Sequence, residues 1–199
     1  MEDLRAIFGG LAMLAIIYRN VPALKALKRG EFQPNSPTFF LWALISLIEV
    51  IIILRHHGGF GATSMVFTVV FCTYFGIKGL KTSRENGLDW PFIILMMSGI
   101  AGPVILTGLG LMSESVLLVI LAVIEALAII PTFRKIKVSP YSESIAFYVW
   151  NDISMLLSCF AASSVTFNTV FVPVIWVIIM TGAIIYILIC RKKVPQVEM

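Results

Sequence analysis

Seven apolar runs, separated by short polar stretches, set the pattern of this chain. The first covers about residues 4–18 and is followed by Arg19, Asn20 and Pro22. Because proline has no backbone N–H with which to continue a helix, a helix ending near this point is predicted. Residues 25–37 then carry Lys25, Lys28, Arg29, Gly30, Pro34, Asn35 and Pro37, a density of charge and turn formers that reads as a loop. Further runs lie at about 38–54, 60–77, 90–111, 115–130, 145–162 and 169–190. His56, His57, Gly58 and Gly59 make an exposed turn before the third run, and Ser113, Glu114 and Ser115 a tight turn before the fifth. Asp89 is placed as N-cap and Pro91 as first-turn residue of the fourth helix, with Gly102 and Pro103 allowing a bend inside it. Pro131 repeats at the end of the fifth run the role of Pro22. Each run approaches or reaches the roughly 17 to 25 residues a helix needs to cross a bilayer. The expected fold is therefore an all-α membrane protein with seven transmembrane helices.

Composition agrees with lipid as the solvent. Hydrophobic residues make up 59% of the 199 and charged ones 13%, and the mean hydropathy is +0.96. An ordinary soluble domain carries about one quarter charged residues. Glu2 and Asp3 spoil the basic start of a signal peptide, so the first run is expected to remain as a span. The net charge of +4 lies in short clusters between apolar runs, which argues for orientation signals and against nucleic acid as a partner. Residues 19–37, 78–89, 134–144 and the tail after 190 hold thirteen of the fifteen Lys and Arg residues. By the positive-inside rule this puts the N-terminus outside and the C-terminus in the cytoplasm, with an odd number of spans.

The chain also repeats itself. At an offset of 109, Pro22, Lys25 and Lys28 fall on Pro131, Arg134 and Lys137; at 108, Ser36, Phe39, Trp42, Ile45 and Ser46 fall on Ser144, Phe147, Trp150, Ile153 and Ser154. Each half reads as span, Pro, basic loop, Ser, then Trp in the next span. Four crossings separate the starts of the two triplets, so they run in the same direction, as a parallel repeat. The predicted organisation is two parallel three-helix repeats joined by a linker helix: residues 1–82 the first bundle, 83–112 the linker with span four, and 113–199 the second bundle with a basic tail.

This three-plus-one-plus-three plan resembles the PQ-loop and SWEET group of transporters. The residues that carry the resemblance are Tyr18, Val21, Pro22, Lys25 to Gly30, Pro34 and Trp42 in one half. In the other they are Ile130 to Lys135, Pro140 to Ser144 and Trp150. The stretch IIPTFRKIKVSPYSES is especially similar to a branch of small bacterial PQ-loop-like membrane proteins, which implies the bacterial inner membrane as location. Ala23 and Thr132 stand where the Gln of the PQ dipeptide would be, and the third span has no Asn to match the pair that lines the sugar pocket in SWEETs. The resemblance implies two bundles facing each other across a central pathway, with alternating access as the mode.

Three carboxylates lie within the spans, where insertion of a charged side chain costs about 2.5 to 3.5 kcal/mol: Glu49, Glu125 and Asp152. They are expected either to line a solute path, with a carboxylate available for proton coupling, or to tie helices together. Trp42, Ser46 and Glu49 are spaced i, i+4, i+7 on one helical face; Trp150 and Ser154 repeat the first two, with Asn151 and Asp152 beside them. These eight residues form the candidate pathway, and Pro22 and Pro131 the candidate hinges or gates. An aromatic wall with a few convergent polar groups suits a small polar solute, although both Trp residues would also serve as interfacial anchors. Cys72, Cys159 and Cys190 show no metal-like spacing and are read as packing residues, so neither metal nor other cofactor is expected. No nucleophile elbow, phosphate loop or HExxH motif occurs, and an enzyme is not expected. The functional expectation is a transporter of a small polar solute (sugar, amino acid or vitamin-like), with the lipid bilayer and the solute as partners and homo-oligomerisation left open. A non-transporting membrane receptor or interaction protein on the same fold is the alternative.

Overall fold

The computed structural model describes residues 2–30, 32, 34, 36–85, 90–138, 140–142 and 144–193. Among these residues the secondary structure is helical, with no strand. The helices are α1 Glu2–Lys28, α2 Ser36–Arg55, α3 Thr63–Glu85, α4 Trp90–Gly108, α5 Glu114–Ala128, α6 Ile130–Val138, α7 Ile145–Ala161 and α8 Phe167–Lys193. Two short 3₁₀ turns, Gly59–Ala62 and Pro140–Ser142, lead into α3 and α7. Among the described residues, four helical segments are long and apolar enough to cross a membrane: Glu2–Lys28, Ser36–Arg55, Gly59–Leu80 and Phe167–Lys193.

The first helix overruns its expected end. Pro22 lies inside α1, exposed on its outer side, and the helix continues to Lys28. A single proline removes one donor, and the chain beyond it keeps apolar residues at helical spacing (Ala23, Leu24, Ala26, Leu27), so burial outweighs the lost bond. Gly30 stops the helix instead. Its φ of 74° is open to glycine without a Cβ penalty, and the Gly30 and Phe32 amides cap the carbonyls of Leu27 and Ala26 at 3.1 and 3.3 Å. In the second half, α5 ends at Ala128 and Pro131 is the second residue of the short helix α6, where a missing N–H costs little. Residues 134–138, expected in a loop, are the rest of α6. Asp89, the expected N-cap of α4, falls outside the described residues.

Exposure along α1 shows which solvent the bundle fits. Leu4, Ile7, Leu11, Leu14 and Tyr18 are exposed at steps of three and four, while Gly9 and Ala12 on the opposite side are buried. Small residues inward let helix backbones approach, and long apolar ones outward suit contact with lipid.

Helix α3 packs against both α1 and α2, and α8 packs likewise against both α5 and α7. Between these two groups, α1 lies along α7, α2 meets α5, α3 touches α7 and α2 touches α8. Helix α4 contacts α2 and α5. The α1–α7 pair is antiparallel. Phe8 meets Phe160 at a ring distance of 5.7 Å, the Ser154 hydroxyl donates to the Ala12 carbonyl at 2.9 Å, and Tyr18 meets Trp150 at 4.7 Å. One apolar core joins Ile45 and Ile53 of α2, Met65 of α3, Leu118 and Leu121 of α5 and Val172 of α8; a second gathers Ile136, Tyr148, Met180 and Ile187.

Candidate functional site

Two of the eight pathway candidates, Glu49 of α2 and Glu125 of α5, lie buried on helices that contact each other. Glu49 is completely buried, and neither of its carboxylate oxygens has a hydrogen-bond partner. Glu125 lies within electrostatic reach of it, is itself buried, and accepts through Oε2 from the Trp176 indole N–H of α8 at 3.0 Å. Buried polar groups are nearly always satisfied by protein or water. A fully buried carboxyl group with both oxygens unpartnered departs from that rule.

A second cluster forms where α1 lies on α7. Arg19 donates from Nη1 to Asn151 Oδ1, and its guanidinium sits 5.0 Å from the centre of the Phe147 ring. Its Nε and the Asn151 amide nitrogen are buried donors without an acceptor. Cys72 of α3 is buried and not bonded to another cysteine.

The remaining candidates go elsewhere. Asp152, one residue from Asn151 and about 100° around the helix, turns to α8 and accepts through Oδ2 from Thr181 at 2.9 Å; its Oδ1 is buried and unpartnered. Ser154 is fully buried and spends its hydroxyl on Ala12, a link between helices. Ser46 is buried in α2. Trp42 packs edge-on against Phe39 at 5.7 Å, beside Phe32 and Phe75, and Trp150 packs on Tyr18. The structure thus brings Glu49 to Glu125, and Asn151 to Arg19, but does not place Asp152 and Ser154 with them. Arg19, Cys72 and Trp176 escaped the sequence reading. Arg19 had been assigned to a loop because Pro22 follows it; the apolar spacing that continues past the proline was the signal available.

At the opposite end of α2 the polar turn is built, not free. Glu114, at the start of α5, accepts from Arg55 at 2.5 Å and lies 2.7 Å from His56 Nε2. Asn168 of α8 lies 2.9 Å from the same ring nitrogen and accepts from Ser115 at 2.7 Å. His57 is the one described residue other than glycine with positive φ, at 59°, and Gly59 follows at 53°, where an added Cβ would lie 2.4 Å from the Ser163 hydroxyl. This turn closes α2 against the starts of α5 and α8. Among the described residues, no group of three or more His, Cys, Asp or Glu side chains is placed to hold a metal ion.

The class these observations define is an all-helical protein with several helices able to cross a membrane and a polar cluster buried between them. Comparison with protein-family models, with curated proteins and with solved structures gives no match for the chain.

Proposed function

We propose that this protein is a membrane transporter of a small polar solute, working by alternating access between two three-helix bundles. In this reading α1, α2 and α3 form one repeat and α5, α7 and α8 the other, with α4 as linker and α6 as a short helix on the cytoplasmic side. The N-terminus lies outside and the C-terminus in the cytoplasm. Helices α4, α5 and α7 then serve as spans as well; α5, the shortest with 15 residues, reaches about 22 Å at 1.5 Å per residue, and bundle neighbours cover the difference.

The packing order supports the repeat. In each triplet the third helix lies between the first and the second. Exchanging the triplets turns the α1–α7 contact into α5–α2 and the α3–α7 contact into α8–α2, and all four are present. A parallel repeat with a two-fold axis through the bundle has this set of contacts. The resemblance of the Pro and basic-loop pattern to the PQ-loop and SWEET group supports the same reading.

One observation carries the functional proposal: Glu49 is fully buried with both oxygens unpartnered, on a helix that contacts the helix carrying the buried Glu125. Unpaired ionisable groups inside a membrane bundle mark pathways for solutes or protons. Uptake into proteoliposomes, measured for a panel of sugars, amino acids and vitamins, tests it. Saturable uptake of one solute class, lost in Glu49→Gln, supports the proposal. Ligand binding without flux of any solute would favour the receptor alternative and overturn it.

A further inference from the structure

We infer that the contact between α1 and α7 holds a binding position for a carboxylate, where the Arg19 guanidinium and the Asn151 side-chain amide take the anionic end of the solute. This inference rests on the reading of the protein as one with a solute pathway, and it names the charge class of what is bound. Arg19 lies within a helix able to cross a membrane, and among the described residues no carboxylate pairs with it. Asp152, next in sequence to its partner Asn151, turns instead to Thr181 of α8. Arg19 donates through Nη1 to Asn151 Oδ1, and since a guanidinium has donors only, this contact fixes the orientation of the amide. What remains unused on both side chains is therefore N–H: Arg19 Nε and the Asn151 nitrogen are buried and have no acceptor. Asn151 itself is 1% exposed.

The unused donors belong to one place. Nε and Nη1 share a guanidinium, Oδ1 and Nδ2 share an amide, and Nη1 is bonded to Oδ1. Covalent lengths and one hydrogen bond therefore keep the two free nitrogens within about 7 Å of each other. One carboxylate bridges such a span, because each of its two oxygens accepts a hydrogen bond of about 2.9 Å. The Phe147 ring, 5.0 Å from the guanidinium carbon, covers one face of the cation and leaves its edge for in-plane donors. Charge decides the class of ligand. One guanidinium is balanced by one carboxylate, whereas a phosphate monoester brings a charge of about −1.5 to −2 and leaves the excess buried. A cation meets donors only. A neutral amide or polyol accepts the hydrogen bonds but leaves the guanidinium uncompensated.

The test uses the full chain in detergent and measures binding by calorimetry and by ligand-induced thermal shift. The probes are propionate, lactate, benzoate and L-leucine, the primary amide of each, and sulfate and phosphate at matched ionic strength. At least one carboxylate is expected to bind at least ten times more tightly than its amide and than either inorganic anion. Arg19→Gln is expected to weaken that carboxylate at least tenfold, while Arg55→Ala, which removes an exposed charge elsewhere, leaves it within twofold. Asn151→Asp places a carboxylate against Arg19 within the protein itself; it should raise the unfolding midpoint without ligand and abolish the shift that the added carboxylate produces. Should a variant fail to fold, the wild-type ranking alone decides. An amide, sulfate or phosphate binding as tightly as the carboxylate, or no carboxylate binding, overturns the inference, as does full binding in Arg19→Gln or Asn151→Asp. The two levels of the account fail separately. Carboxylate binding without uptake in proteoliposomes keeps the site and removes transport; uptake of a sugar unaffected by Arg19→Gln keeps transport and removes the carboxylate site.

Discussion

Arg19 of α1 donates from Nη1 to the side-chain carbonyl of Asn151 on α7, and the contact joins two helices more than 130 positions apart in the chain. The guanidinium also rests on Phe147, so this arginine both packs and pairs. Arg19→Ala removes the partner of a buried amide oxygen, and is expected to lower stability by about 1–3 kcal/mol. Arg19→Lys keeps the charge but loses the forked donor set. Thermal unfolding of the purified variants in detergent should rank wild type above Lys above Ala; equal midpoints would show that the contact contributes nothing.

Glu49 gives the opposite expectation. Its carboxyl group is buried without a hydrogen-bond partner, so Glu49→Gln removes no interaction and is expected to change stability by less than about 1 kcal/mol, or to raise it, while uptake falls at least tenfold. Stability kept at the expense of activity is the signature of a functional group. A Glu49→Gln protein with full uptake would make the residue structural.

Ser64 and Ser158, both fully buried, share a hydrogen bond at 2.5 Å between α3 and α7. Ser158→Ala alone leaves the Ser64 hydroxyl without its partner on α7, and is predicted to cost about 1–3 kcal/mol. The double variant Ser64→Ala with Ser158→Ala should be closer to wild type than the sum of the two singles. A double-mutant cycle by denaturant unfolding gives the interaction energy directly; additive effects would contradict a shared bond.

Glu114 ties Arg55 and His56 at the end of α2 to the start of α5. Arg55 is 68% exposed, so its pairing contributes little; the more sheltered contact with His56 is the stronger link. Glu114→Ala should therefore lower the unfolding midpoint, whereas Arg55→Ala should leave it nearly unchanged. If Arg55→Ala proves the more damaging, the ranking of the two contacts is wrong.

The topology has its own test. Val138, at the end of α6, and Val165, between α7 and α8, are both highly exposed. With the N-terminus outside, a cysteine at Val165 is labelled by a membrane-impermeant maleimide added to intact cells, and one at Val138 is not. The reverse result would invert the proposed orientation.

Each of the seven apolar runs overlaps one of the helices of 15 residues or more, because helix periodicity and length are local properties that a sequence displays directly. What was hidden is where helices stop and which residues meet. Pro22 looked like a stop, but the apolar face continued beyond it and Gly30 is the terminator. That shift of about three turns moved Arg19 from a supposed loop into the bundle. Asn151 and Asp152 looked like one polar patch, yet adjacent residues on a helix point about 100° apart, and one faces α1 while the other faces α8. The meeting of Glu49 with Glu125 depends on α2 touching α5, a long-range packing choice that no local pattern encodes.

Alternating access is the central claim, and Ser46 offers its most direct measurement. It is buried on the same face of α2 as Glu49. In a Ser46→Cys protein, a membrane-impermeant thiol reagent should reach this position from outside in intact cells and from the cytoplasmic side in inverted vesicles, above the labelling of the native cysteines. Reaction from both sides, slowed by the transported solute, is the predicted result. Reaction from one side only, or from neither, would contradict it.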